Sequence, residues 1–485
     1  MKKTYIAPNI ERNSAGNMNK YGAKSVVKYQ DKIDGIPIKE IVEQFGSPVL
    51  VLSESQIRRR YRRLTDAMQM HYPKVKMAWS YKTNYLGAIC NIFHQEGSCA
   101  EVVSGMEYAM ARRLGIPGKE IIFNGPGKKR DELELAIREG ARIHIDHLDE
   151  LYLIEKLARE LDLVPQVAIR VNMDTGIYPQ WDRFGFNYEN GEAYRAISRI
   201  ASGKAMQIVG LHAHIGTFIL DAQSYYYEAK ALLELAQRIK DELDITVEYI
   251  DMGGGFASQN TLLGSYAPGE FISPTFDQYA EAIGAAFNES HFVSQNLPTL
   301  ILETGRALID EAGYLISSVV GKKNLPSGER AVVLDAGVNT TITAWWYKLK
   351  VIPTRPFPGA YQNTIFYGPL CMNIDILRSA LPFPDLHTGE QVLITPTGAY
   401  NNTQWMQFIE YRPPVVLISE TGRLDLLRPR EELNDVIGRE LIPEHDRKTA
   451  HVELGPESPS GRPSREHPHL RIHLRNDRTL EHLIN

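Results

Sequence analysis

Between residues 48 and 306, short apolar and β-branched runs alternate with amphipathic stretches, and this alternation narrows the fold more than any other feature of the chain. The strand-like runs fall at 74–81 (KVKMAWSY), 99–103 (CAEVV), 120–124 (EIIFN), 142–146 (RIHID), 165–171 (PQVAIRV), 208–215 (IVGLHAHI), 247–253 (VEYIDMG) and 299–304 (TLILET). Between them lie EYAMARRLG, DELELAIREG, DELYLIEKLARELD and YYYEAKALLELAQRIKDEL, with apolar residues three and four apart and several glycines suited to end a helix. Parallel strands are buried on both faces and need helical crossovers of this length. Eight such units predict an α/β chain folded as a (β/α)8 barrel. Reactive side chains then belong at the C-terminal ends of the strands, with phosphate often held after strands seven and eight.

After residue 306 the texture changes. ISSVVG, AVVLDAG, YKLKVIP, NTIFYG, QVLITP and PVVLIS are separated by Pro- and Gly-rich turns without long helices, which predicts a mostly antiparallel β domain. The expected partition is a lead-in at 1–47 that partly joins the β domain, the barrel at 48–306, the β domain at 307–430 and a polar tail at 431–485. The tail holds six histidines (His445, His451, His467, His469, His473, His482), and their irregular spacing favours a solvated segment over a metal site.

Composition bounds the partners. A net charge of -5 over 485 residues gives no hint of nucleic-acid or membrane binding. No apolar run is long enough to span a bilayer, and MKKTYIAPNIERNSAGNMNKYG lacks the apolar core of a secretory signal. Cys90, Cys99 and Cys371 are too few for a disulfide framework, so the expected location is the reducing cytoplasm.

The strand ends carry the chemistry. Lys82 directly follows the first strand, where desolvation is expected to lower its pKa and favour nucleophilic or Schiff-base chemistry; a rim lysine is the plainer alternative. His212 and His214 share a face of the sixth strand. They suit a metal pair without an evident third ligand, a ring stacked on a cofactor, or buried hydrogen-bonded histidines. Gly253, Gly254 and Gly255 end the seventh strand, where backbone N–H groups can approach an anion. After the eighth, Glu303 suits a cationic ring nitrogen and Arg306 offers a fork to phosphate or carboxylate. Those functions together are what pyridoxal 5′-phosphate requires.

The order and spacing of SYKTN, EVVSGMEY, NGPGK, GLHAHIGT, DMGGGF, ETGR, GPLCMNID and TGAY resemble the fold-type III pyridoxal-phosphate decarboxylases, which act on diaminopimelate, ornithine and arginine. The likeness runs over roughly 48–418 and is nearest to the diaminopimelate enzymes; it implies an alanine-racemase-like barrel. It implies that Lys82 bonds the cofactor, that His214 stacks on its ring and that Glu303 pairs with its ring nitrogen. Glu101, Thr217, Gly254, Gly255, Gly305, Arg306 and Tyr400 complete the cofactor contacts. Cys371 is the implied proton donor, and Arg306, Thr343, Tyr347, Met372 and Asp375 are the implied substrate contacts. Cys371 and Asp375 are implied to enter from the other subunit of a homodimer with shared active sites.

The departures concern the substrate. Thr343 stands where the diaminopimelate enzymes have an Arg, and Met372 and Asn373 stand where they have Glu and Ser. Losing a cation and an anion from one pocket disfavours a zwitterionic distal end. Glu101, Asn124 and Thr304 replace the usual Asp, His and Pro. The leading expectation is a decarboxylase of specialised metabolism acting on a carrier-linked, siderophore-type or D-amino acid. The alternatives are a diaminopimelate decarboxylase with relocated contacts, a racemase on the same barrel, or an inactive binding protein.

Overall fold

The computed structural model describes residues 29–356, 361–441 and 443. The lead-in through residue 28 and the six tail histidines lie outside the described residues. All eight expected barrel strands form: β1 Val75–Ser80, β2 Cys99–Val102, β3 Ile121–Phe123, β4 Arg142–Ile145, β5 Gln166–Asn172, β6 Gln207–Ala213, β7 Tyr249–Asp251 and β8 Thr299–Leu302. Each pairs in parallel with its neighbour, and β8 pairs with β1 to close the barrel. Closure removes both sheet edges and aligns the strand ends in one ring.

The crossovers form because their apolar residues recur with the helical period. Helix Glu54–His71 buries Ile57, Tyr61, Leu64 and Met68 on one stripe, and the Ser53 hydroxyl accepts from the Gln56 N–H at 3.2 Å at its start. Inside the barrel, Ala78, Cys99, Ile122, Ala168, Val209, Tyr249 and Ile301 form a packed cluster. Gly210 is required there: a Cβ would sit 2.3 Å from the Tyr249 ring.

The second sheet runs Ile376–Phe383, Gln362–Tyr367, Arg330–Leu334, Gly313–Asn324, Val49–Ser53, Val415–Ile418, Leu424–Arg428, with Lys350–Pro353 and Gln391–Thr395 paired alongside. Its pairings are antiparallel except between Arg330–Leu334 and Gln362–Tyr367 and between Val49–Ser53 and Val415–Ile418. One expectation is corrected. The barrel was to start at residue 48, yet Val49–Ser53 is a central strand of the second sheet. VLVLS is buried at every position, like a barrel strand, and burial alone does not say which sheet a strand joins. Two edge strands were not foreseen. Ile376–Phe383 carries Pro382 and a left-handed Ala380, and Leu424–Arg428 is only partly buried. Among the described residues no helix is long and apolar enough to cross a membrane.

Candidate active site

The strand ends open into a cleft of about 660 Å³. Lys82 sits in the turn Tyr81–Thr83 directly after β1, and the second sheet's following segment fastens that turn. The Tyr400 N–H donates to Thr83 O at 2.8 Å, the Thr403 hydroxyl to Lys82 O at 2.8 Å and Asn84 Nδ2 to Gly398 O at 3.3 Å. Tyr400 takes a left-handed backbone (φ 65°) to make its contact.

Lys82 Nζ donates to Glu101 Oε2 at 2.8 Å. The side chain lines the cleft and keeps 39% of its surface open. Burial works against the charge, but Glu101, then Tyr400 and Glu303, outweigh it and raise the Lys82 pKa. The expected lowering is therefore corrected: desolvation is present, and the facing carboxylate overcomes it.

Glu303 follows β8 and is buried. Asn124 Nδ2 donates to its Oε1 at 2.5 Å, and His212 Nε2 lies 3.5 Å from its Oε2. Burial raises the Glu303 pKa, against the pull of Lys82. His214 Nδ1 accepts from the Gly254 N–H at 3.0 Å, so in the neutral ring Nε2 carries the proton. Burial, then Arg170 and Lys82, hold both His212 and His214 well below the usual imidazole range.

His144, His212 and Glu303 place potential ligand atoms within 4.8 Å of one another, a grouping the sequence spacing concealed. His144 Nε2 is already bonded to the Tyr249 hydroxyl at 3.0 Å, and its ring lies 4.7 Å from that of His212. The group thus belongs to a packed polar column beneath Glu303.

Arg306 lies between the rings of Tyr347 and Tyr400, 4.8 Å from each centroid, with Nη1 3.5 Å from Asp310 Oδ2. Its Nε is buried without a hydrogen-bond partner. Beside it Ser80, Lys82, His214, Thr217, Gly254, Gly255, Gly305 and Tyr400 close on a recess of about 30 Å³. Gly305 is required, since a Cβ would fall 2.0 Å from the Thr83 hydroxyl. An unpartnered buried guanidinium nitrogen facing a glycine-lined recess suits a phosphate, and Glu303 beyond it suits a ring nitrogen. The residues therefore fit pyridoxal phosphate.

The substrate side departs from expectation. Tyr347 lines the cleft, but Thr343 does not: its N–H and hydroxyl bond Asn401 Oδ1 at 3.2 and 2.9 Å, buried beneath the surface. Met372 is packed against the hydrophobic core and is absent from this chain's cleft. Asp375 was implied to act in the other subunit's site; within its own chain its two oxygens accept from the Val338 and Leu370 N–H groups, each at 2.8 Å, and close its loop. Cys371 is exposed and lies outside this chain's cleft.

Sequence reasoning passed over Arg170, a buried guanidinium on β5 that lines the cleft, 3.4 Å from Asp146 and 4.5 Å over the Phe184 ring. A lone Arg near the end of PQVAIRV was its signal. It also missed the aromatic wall of Tyr178, Trp181, Phe184 and Phe218, which comes from loops without periodic pattern.

Residues 54–310 match the family model "Pyridoxal-dependent decarboxylase, pyridoxal binding domain". The chain is 30% identical to the diaminopimelate decarboxylase of Methanocaldococcus jannaschii over 430 residues, covering 85% of this chain and 95% of that one. It is 27% identical to the L-glutamyl-[BtrI acyl-carrier protein] decarboxylase of Niallia circulans, over 84% of this chain and 97% of that one. The crystal structure of the M. jannaschii diaminopimelate decarboxylase superposes with a TM-score of 0.79 at 29% identity, covering 86% of this chain and 98% of that one.

Proposed function

We propose, from the premise that this chain belongs to the pyridoxal-dependent decarboxylase family, that its substrate is an amino acid whose distal end is not the zwitterion of meso-diaminopimelate. The enzyme is a pyridoxal-phosphate-dependent amino-acid decarboxylase; the proposal concerns what it decarboxylates and which residues act. The observation that carries it is Thr343, which stands where the diaminopimelate enzymes have an Arg and whose hydroxyl donates to Asn401 Oδ1, behind a cleft walled by aromatic rings. An apolar wall favours an uncharged or extended distal group, as on an amino acid linked to a carrier, and one relative of similar identity is named for a carrier-linked substrate.

Bound pyridoxal phosphate supplies the electron sink for the charge left when the Cα–carboxylate bond breaks. Lys82 is placed to hold the cofactor's aldehyde carbon. Glu303 would hold the ring-nitrogen proton, His214 would cover the ring, and Arg306 with the glycine recess would hold the phosphate. The carboxylate would leave as carbon dioxide with the bonding pair left on the Cα side, and Cys371 of a second copy would return one proton to Cα. Mixing Lys82→Ala and Cys371→Ala protomers, each inactive alone, is expected to restore about a quarter of the activity through heterodimers with one intact site. No recovery after subunit exchange would exclude shared sites.

Arg170 favours a second reading. Its guanidinium lines the cleft and, among the described residues, pairs with Asp146 alone at a long 3.4 Å, so a diaminopimelate enzyme with a relocated distal contact is the alternative. Carbon dioxide release by the cofactor-loaded protein separates the two. Little release from meso-diaminopimelate, with turnover of a carrier-linked or apolar amino acid, is expected. Robust turnover of meso-diaminopimelate that Arg170→Met abolishes would establish the alternative.

A further inference from the structure

Asn124 follows β3 directly, and its own N–H is tied to Val102 O at 2.8 Å. Its side chain is buried between two acids from other strands. Nδ2 donates to Glu303 Oε1 at 2.5 Å and to Glu101 Oε1 at 3.4 Å. The opposite amide orientation would set an oxygen against two carboxylates, so the hydrogen-bond pattern fixes the assignment. An amide nitrogen carries two hydrogens, one for each acid, and adds no charge. The segment cannot swing away. Buried Lys128, four residues on, bonds Gly125 O at 2.5 Å, His144 O at 3.0 Å and Glu150 Oε1 at 2.7 Å.

The two acids need such a bridge. Glu101 answers Lys82 and Glu303 faces the recess beyond it; Asp251 from β7 and His212 from β6 also stand against Glu303, Lys82 and Arg170 are the cations acting on it, and each buried carboxylate disfavours the ionised form of the others.

We propose that Asn124 is a positioning residue for the decarboxylation, its amide bridging Glu101 and Glu303 and holding both ionised within the buried cleft. This rests on the reading of Glu303 as partner of the ring nitrogen. The residue acts through the two acids and touches no reacting atom.

The test follows the absorbance of the bound cofactor against pH in the pyridoxal-phosphate-loaded protein, together with the cofactor's dissociation constant. Asn124→Asp keeps the shape and replaces the donor with a further acid beside Glu101, Glu303 and Asp251. Without the donor Glu303 holds its proton to higher pH, so the absorbance midpoint is expected to rise by about one unit or more and cofactor affinity to fall about tenfold. Asn124→His, which keeps an N–H within reach, is expected to restore the midpoint. Asn124→Ser removes the reach without adding charge and supplies the same test if the aspartate variant does not fold. Glu303→Gln separates the two ideas. If that variant shifts the spectrum and Asn124→Asp and Asn124→Ser do not, the role of Asn124 is overturned while that of Glu303 stands. If Glu303→Gln itself leaves the spectrum and affinity unmoved, the reading of Glu303 falls. A midpoint displaced equally by the His, Asp and Ser variants would reduce Asn124 to a space-filling residue and overturn the proposal.

Discussion

Replacing Lys82 with alanine is expected to abolish the absorbance of lysine-bound cofactor and to lower kcat by roughly 10^4-fold or more, the scale seen when a group that bonds the reacting species is deleted. The size of the loss follows from the geometry. The amine is the terminal group of β1's end, held in place by Tyr400 and Thr403 through the backbone of its turn. No other lysine among the described residues lines the cleft. Glu101 holds the amine's pKa above the ordinary lysine range. Borohydride reduction of the loaded wild type should fix the cofactor on the peptide containing Lys82, and the variant should carry no label. Label on a different lysine, or an unchanged spectrum, would remove Lys82 from its assigned role.

The second large effect is on stability. Lys128→Met should destabilise the fold by about 3–5 kcal/mol, the cost of leaving one member of a buried ion pair without its partner. Both side chains are almost fully enclosed, at 0% and 3% exposure for Lys128 and Glu150. Burial already raises the Glu150 pKa and Lys128 is the main influence lowering it. In the variant the folded-state pKa moves further above the unfolded value, so the folded state binds the extra proton. The deficit is therefore smallest at acid pH and grows as pH rises from the unfolded carboxylate pKa towards the folded one. Urea melts across pH test this, and a double variant with Glu150→Gln should regain part of the loss at neutral pH. A deficit independent of pH would place the effect in packing alone.

Most of the barrel was legible because its strands are short, apolar and regularly spaced, and because crossover helices announce themselves by period. Lys82, Glu303 and Arg306 were legible for a related reason: polar residues at the ends of apolar strands have few other places to be. The recess was legible in Gly254, Gly255 and Gly305. What escaped is informative. Thr343 was placed near substrate by motif position, whereas its hydrogen bonds are set by Asn401, which no local pattern connects to it. Asn124 stood out only as an exception to a resemblance, and its two carboxylate contacts span β2 and β8. The aromatic wall lies on loops, where neither alternation nor helical spacing operates.

The strand Val49–Ser53 has a consequence for how the chain comes to be folded. It is made before the barrel, yet its neighbours on either side, Gly313–Asn324 and Val415–Ile418, are made after the barrel is complete. During synthesis a largely apolar strand with two unpaired edges must wait while the ribosome delivers everything between. Its pairing closes a loop that contains the entire barrel, so the last cooperative step joins the earliest and latest parts of the polypeptide. Nascent chains released before residue 418 will display that strand as an open edge, and they are the ones for which chaperone retention and aggregation compete.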